Sequence, residues 1–380
     1  MNIKTNIILA FNFLFSPILV IFFVLSKNFE IASYFGLISS IIIFITQSLS
    51  ANKRQIIILG NKTSIISKTI TQRIVFSLFI VFVSYLYLFH INNIANSKII
   101  FLLIIYICFF WIKEIIITEL EIRKKNKDIN IEFFVYLIFY LSIILQIFIL
   151  KNNENLLIFL ILYLFIFILL VFNKLKEIKE KNYSHSFPEF FQINIYYFSS
   201  FSIIFCNLLW RVCIFIFTND IKAGIIYAAF SFGSFSSTIF VNTFGSHLVK
   251  DKKLNKDISK YFINYFFISM IFLILINLTF FETFLGFEKL FIDTLTYSIF
   301  GSIFMLIGQY KRQNMILRNI KLKKKDIFIF DIIYSFLLFM VVPITFYTGG
   351  EKFLIMSFLF GSILCFIFYG ILENIEKKIS

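Results

Sequence analysis

From Leu156 to Phe172 the chain carries no charge and no amide, and every residue is apolar or aromatic. A helix of roughly 17 to 25 such residues matches the hydrocarbon core of a bilayer. Comparable runs recur along the whole sequence, which rules out most soluble folds. Charged residues make up 15% of the chain against 59% hydrophobic ones, where a water-covered surface takes about 25% charge. A membrane β-barrel would show apolar and polar residues alternating over about ten positions, whereas here every face of the predicted helices is apolar. Backbone groups in lipid must then satisfy one another within helices. With 3 prolines and 12 glycines in the chain, little interrupts them. Met1–Leu25 has one lysine and an apolar stretch but no small-residue cleavage site after it, so it is expected to remain as the first span.

The runs predict an all-α integral membrane protein of twelve spans. The first six are 7–25, 31–49, 74–91, 98–117, 132–150 and 156–172. The second six are 190–217, 223–248, 261–281, 291–310, 327–347 and 353–371. Of the 36 lysines and arginines, 28 fall on one alternating set of connections and 6 on the other. Basic residues concentrate in cytoplasmic loops, so both termini are expected in the cytoplasm of a multi-pass protein of a bacterial inner membrane. The net charge of +15 then reflects orientation and contact with anionic headgroups, not nucleic-acid binding. The polar stretch 173–189 separates an amino-terminal bundle, 1–172, from a carboxy-terminal bundle, 190–380. Two six-helix bundles related by a pseudo-two-fold axis along the membrane normal suggest a transporter.

The predicted non-cytoplasmic loops are short, and the histidines, His90, His185 and His247, have no useful spacing from a carboxylate or cysteine. There is no phosphate-binding G-x-x-x-x-G-K-[ST] loop. Cys108, Cys206, Cys213 and Cys365 lie in apolar runs without metal-ligand spacing. No catalytic residue, metal or cofactor is therefore expected.

Polar residues inside spans are costly and mark pathways or helix contacts. Arg211 lies well inside span seven, and Ser200, Asn207 and Arg211 share one helical face. That face can offer a guanidinium fork and an amide to a phosphate or diphosphate; alternatively Arg211 snorkels to headgroups. Span eight is rich in Ala, Gly, Ser and Thr, with Ala228, Ser231, Thr238, Asn242 and Gly245 along one stripe. This pattern fits a close helix contact or a polar cavity. Asn12 in span one and Gln47 in span two are further path or contact candidates. Glu114 follows Lys113 and is expected to neutralise it. Asp331, about a turn into span eleven, is a candidate for proton or sodium coupling if buried, and otherwise an interfacial acid.

The segment NLLWRVCIFIFTNDIKAGIIYAAFSFGSFSSTIFVNTFG, from Asn207 to Gly245, resembles the seventh and eighth spans of Wzx-type polysaccharide (O-antigen) flippases. The matching residues are Trp210–Arg211, the loop closing on Ala223–Gly224, and the Gly/Ser/Thr-rich span ending on Asn242 and Gly245. A weaker match covers ASYFGLISSIIIFITQSLSANKR, from Ala32 to Arg54. These flippases belong to the multidrug/oligosaccharidyl-lipid/polysaccharide exporter superfamily. The resemblance implies two six-helix bundles around a cationic cavity, through which a lipid-diphosphate-linked oligosaccharide is turned from the inner to the outer leaflet by alternating access for surface polysaccharide such as lipopolysaccharide. It also implies that Arg211 contacts the diphosphate or an acidic sugar, with Asn207 and Asn242 as hydrogen-bonding partners, and that a polymerase of the same pathway is a candidate neighbour. Another exporter of the superfamily, or a polysaccharide polymerase or ligase, is the alternative.

Overall fold

The computed structural model describes residues 3–50, 54, 57, 64–91, 97–146, 153–179, 195–239, 254–277, 288–317 and 324–379. Among them no strand forms, and twelve helices of 20 to 29 residues follow one another. They are α1 (Ile3–Leu25), α2 (Phe29–Ser50), α3 (Ser64–Leu86), α4 (Ser97–Ile122), α5 (Asn126–Leu145) and α6 (Asn153–Lys179). The second six are α7 (Ile195–Phe217), α8 (Asp220–Ile239), α9 (Leu254–Ile276), α10 (Lys289–Leu317), α11 (Lys324–Gly349) and α12 (Ser357–Ile379). Each overlaps one expected span. α6 runs on into the stretch expected as a linker, whose remaining residues, 180–189, lie outside the described ones.

Two short connections turn on a left-handed lysine. Lys27 and Lys124 adopt left-handed backbone conformations, with φ of 63° and 53°. After α1, the Asn28 N–H donates to the Phe23 carbonyl and the Lys27 N–H to the Val24 carbonyl. After α4, the Lys125 N–H donates to Leu120 and the Lys124 N–H to Glu121 in the same way. This six-to-one, five-to-two pattern closes the last helical turn and reverses the chain within a few residues.

The chain divides into two compact units, Met1–Phe15 with Ile41–Ile193, and Ser16–Ser40 with Asn194–Ser380. In the first, α4 packs against α3, α5 and α6. Its core is aromatic: Phe15, Tyr106, Phe110, Phe139 and Phe167 stack or meet edge to face, with Tyr106 and Phe139 centroids 5.1 Å apart. The phenols reach backbone acceptors, Tyr106 donating to Leu160 O at 2.7 Å and Tyr140 to Phe11 O at 2.7 Å. Leu78, Phe79 and Phe82 of α3 and Leu162, Phe165 and Leu169 of α6 are exposed at helical spacing, as side chains facing lipid are.

In the second unit, α10 packs against α8, α9 and α12, and α11 against α7 and α12. Small residues permit these approaches. A Cβ on Gly233 of α8 would lie 2.7 Å from the Ser298 carbonyl oxygen of α10, and one on Gly308 would lie 2.7 Å from Cys365 Sγ of α12. The small residues of span eight thus serve helix packing: Ala228 and Ser231 are buried and Thr238 half-buried.

Candidate functional site

The cost of placing charge in a membrane helix makes the partners of each buried ion informative. Arg73, Lys113 and Arg312, the cationic side chains of the long helices that are paired at low exposure, each have a carboxylate partner. In the first unit Lys113 is fully buried; its Nζ lies 2.5 Å from Glu132 Oε2 and 4.6 and 4.5 Å from the centroids of the Tyr136 and Phe167 rings. Arg73 donates to Glu114 Oε2 at 2.7 Å and to the Trp111 carbonyl, and its guanidinium lies over the Trp111 ring. Ser50 accepts from Trp111 Nε1 at 2.6 Å and from Arg73 at 3.3 Å, tying α2 into the same cluster. The expectation that Glu114 neutralises Lys113 is therefore corrected. Adjacent residues on a helix do not face one another, and each finds its counter-ion on a different helix.

In the second unit Arg312 grips Asp331 as a fork, with Nε to Oδ1 and Nη2 to Oδ2 both 3.0 Å. The Tyr369 hydroxyl donates to Asp331 Oδ1 at 2.6 Å. Asp331 is fully buried within the bundle. Its carboxylate joins α10, α11 and α12.

Arg211 differs from these. It is half-buried in α7, and no carboxylate among the described residues meets its guanidinium. One N–H group donates to the Gly36 carbonyl of α2 at 2.8 Å, and the guanidinium lies 5.6 Å from the centroid of Tyr227 on α8. The Tyr227 hydroxyl donates back to the Arg211 carbonyl at 2.5 Å. α2 comes this close because position 36 is glycine: a Cβ there would lie 2.7 Å from Tyr227 Cδ2. A Cβ on Gly224 would likewise lie 2.7 Å from the Phe29 carbonyl oxygen. Farther along the same contact, the Tyr34 hydroxyl donates to Asp220 at 3.1 Å.

Asn207, one turn before Arg211, is exposed on the same helical face. Ser200 lies in α7 with its side chain outside the described residues, and Asn242 and Gly245 lie outside them altogether. Asn12 and Gln47 belong to the first unit. The Asn12 amide is buried beside Tyr136, and Gln47 is half-buried. The structure brings together Arg211, Asn207, Gly36 and Tyr227, and places Asp331 in a separate cluster. Sequence reasoning missed Gly36 and Tyr227 as partners of Arg211. Gly36, the one glycine of α2, was the available signal.

Cys108, Cys206 and Cys365 are buried free thiols and Cys213 is half-buried. Among the described residues no group of three or more His, Cys, Asp or Glu side chains is placed to hold a metal ion.

No protein-family model matches this chain, and no curated protein matches it by sequence. Among solved structures it is similar to an inward-facing conformation of a multidrug resistance MATE family transporter of the MOP superfamily. The TM-score is 0.52 and the identity 10%, over 100% of this chain and 97% of that one. At this identity the likeness is one of fold: the chain is an all-helical membrane protein with the fold of that transporter.

Proposed function

We propose that the chain is a bacterial inner-membrane exporter that moves a lipid-diphosphate-linked oligosaccharide from the inner to the outer leaflet by alternating access, for surface polysaccharide synthesis. The observation that carries this reading is that no carboxylate among the described residues meets Arg211. A guanidinium within a membrane helix is costly to insert. Arg73, Lys113 and Arg312 offset that cost with acids. Arg211 has a backbone carbonyl, a ring face, and N–H groups without a partner among the described residues. Such a group is suited to an anionic ligand, and a planar fork suits phosphate oxygens in particular. Asn207, Asn242 and Ser200 would add neutral hydrogen bonds. Both termini would lie in the cytoplasm, and a polymerase of the same pathway is the natural neighbour. Ion coupling through Asp331 would first have to free its carboxylate from Arg312 and Tyr369.

A second reading has one observation in its favour: the structural neighbour is a multidrug resistance transporter. The two readings separate on charge, because a positively charged drug would be repelled by an unneutralised Arg211 and a diphosphate attracted. In a host depleted of its own exporter, wild-type chain should restore surface polysaccharide and confer no resistance to cationic drugs. Arg211→Ala should abolish export with the protein still in the membrane, and Arg211→Lys should restore part of it. Full export by Arg211→Ala overturns the assignment of that residue, and drug resistance without polysaccharide export overturns the substrate.

A further inference from the structure

The contacts of Arg211 form a closed circuit. Its guanidinium holds the Gly36 carbonyl of α2, Gly36 abuts the Tyr227 ring, and the Tyr227 hydroxyl returns to the Arg211 carbonyl. The acceptor that closes it is a neutral carbonyl. A phosphate oxygen accepts a charge-assisted hydrogen bond of roughly twice the strength and can take two N–H groups at once. The ligand proposed above and α2 therefore compete for the same guanidinium. The position of α2 gives that competition a consequence. Ser16–Ser40, the end of α1 with the first half of α2, groups with the second unit, while the continuous α2 helix runs on into residues of the first.

We propose that Arg211 is a ligand-released latch. With no ligand it holds the α1–α2 hairpin against α7 and α8 through Gly36, and an isoprenoid diphosphate drawn to the guanidinium breaks that bond and lets α2 move away. The latch rests on the reading of Arg211 as an anion-binding residue and adds what binding does. Gly36 and Tyr227 are then positioning residues: Tyr227 supports the guanidinium through its ring face, and Gly36 supplies the exchangeable acceptor. The Tyr34–Asp220 hydrogen bond, which joins the same two elements, should part with it.

Competition makes the two ends of the latch respond oppositely. Arg211→Ala removes both the latch and the ligand contact. Gly36→Ala forces a methyl group toward Tyr227, wedging α2 off while leaving the guanidinium in place. That variant should therefore bind ligand more tightly than wild type, by about tenfold if the carbonyl holds roughly nine-tenths of the guanidinium population.

The test uses the full chain in lipid nanodiscs with the four cysteines replaced by alanine and spin labels at the exposed positions Glu30 and Asn219. Binding is measured in parallel on unlabelled protein. The probes are geranylgeranyl diphosphate, geranylgeraniol and inorganic diphosphate. The latch predicts that geranylgeranyl diphosphate lengthens the interspin distance in wild type and geranylgeraniol does not. Arg211→Ala should show the longer distance without ligand and no response to it, and Gly36→Ala should show the longer distance with strengthened binding. Binding with an unchanged distance overturns the latch and leaves the anion site standing, as does a Gly36→Ala protein that folds and binds more weakly. If Gly36→Ala does not fold, the Arg211→Ala distance decides: a short one overturns the latch. Absence of any diphosphate binding overturns both. An equal response to inorganic diphosphate keeps the latch and removes the lipid from the functional reading.

Discussion

Replacing Glu132 by Gln removes the carboxylate that the structure gives to Lys113, an ammonium that is fully buried in the first unit. The Nζ–Oε2 separation of 2.5 Å and the low exposure of both side chains leave water little role in compensating. Removing one partner of such a pair costs about 3–5 kcal/mol, because the surviving charge keeps its desolvation cost and loses its counter-ion. The faces of Tyr136 and Phe167 are already in use in the wild type, so they offer no new compensation. The unfolding equilibrium should therefore shift by roughly two to four orders of magnitude. The double replacement Lys113→Met with Glu132→Leu leaves apolar groups of similar size and should sit close to wild type, a coupling that additive single effects cannot produce. The assay is unfolding by sodium dodecyl sulfate in mixed micelles. The chain has 2 tryptophans, Trp111 in the first unit and Trp210 in the second, so a Trp210→Phe background reports on the first unit alone. A Glu132→Gln cost below about 1 kcal/mol, or a double variant as unstable as the sum of the singles, would refute the buried pair.

Three other expectations follow from the packing. Tyr369→Phe removes the O–H donor to Asp331 and should cost about 1.5–3 kcal/mol in the same assay, read from Trp210 in a Trp111→Phe background, since the bond is to a charged acceptor. Gly233→Ala places a methyl group 2.7 Å from the Ser298 carbonyl oxygen; the backbone must shift, and a loss of about 1–3 kcal/mol is expected in that background. Glu351→Gln breaks an ion pair to Lys222 whose two side chains are 50% and 37% exposed, and stability should change by less than about 1 kcal/mol and become insensitive to added salt.

The spans were legible because a bilayer imposes its thickness on the chain. Every long helix falls on an expected apolar run, with ends displaced where charged residues continue the helix, as in α4 and α10. The small residues of α8 were legible for a similar reason: against a background of Phe and Ile they mark the places where helices come close. Partners were not legible. Arg73 stands just before the third expected span, yet it is buried against Glu114, 41 residues further along the sequence. Lys113 has its nearest acid in the adjacent position, which points elsewhere on the helix, and its true counter-ion Glu132 lies across a reversal set by a left-handed lysine. The depth of Asp331 depends on Arg312, which precedes it by 19 residues and lies on the neighbouring helix. Hydropathy reads one helix at a time, and ion pairing is a property of two. Arg211 was visible as a costly charge, but its acceptor is a backbone carbonyl on α2, marked in the sequence only by the glycine at 36.

Transport itself is the decisive measurement for the proposed function. Purified chain is reconstituted into liposomes holding a fluorescent isoprenoid-diphosphate-linked oligosaccharide, and the fraction reachable by an impermeant quencher is followed with time. Wild type should translocate the lipid, Arg211→Ala should not, and Arg211→Lys should recover part of the rate. Translocation unaffected by Arg211→Ala would contradict the proposed function, as would a wild-type protein that leaves the labelled lipid in its original leaflet while exporting cationic drugs.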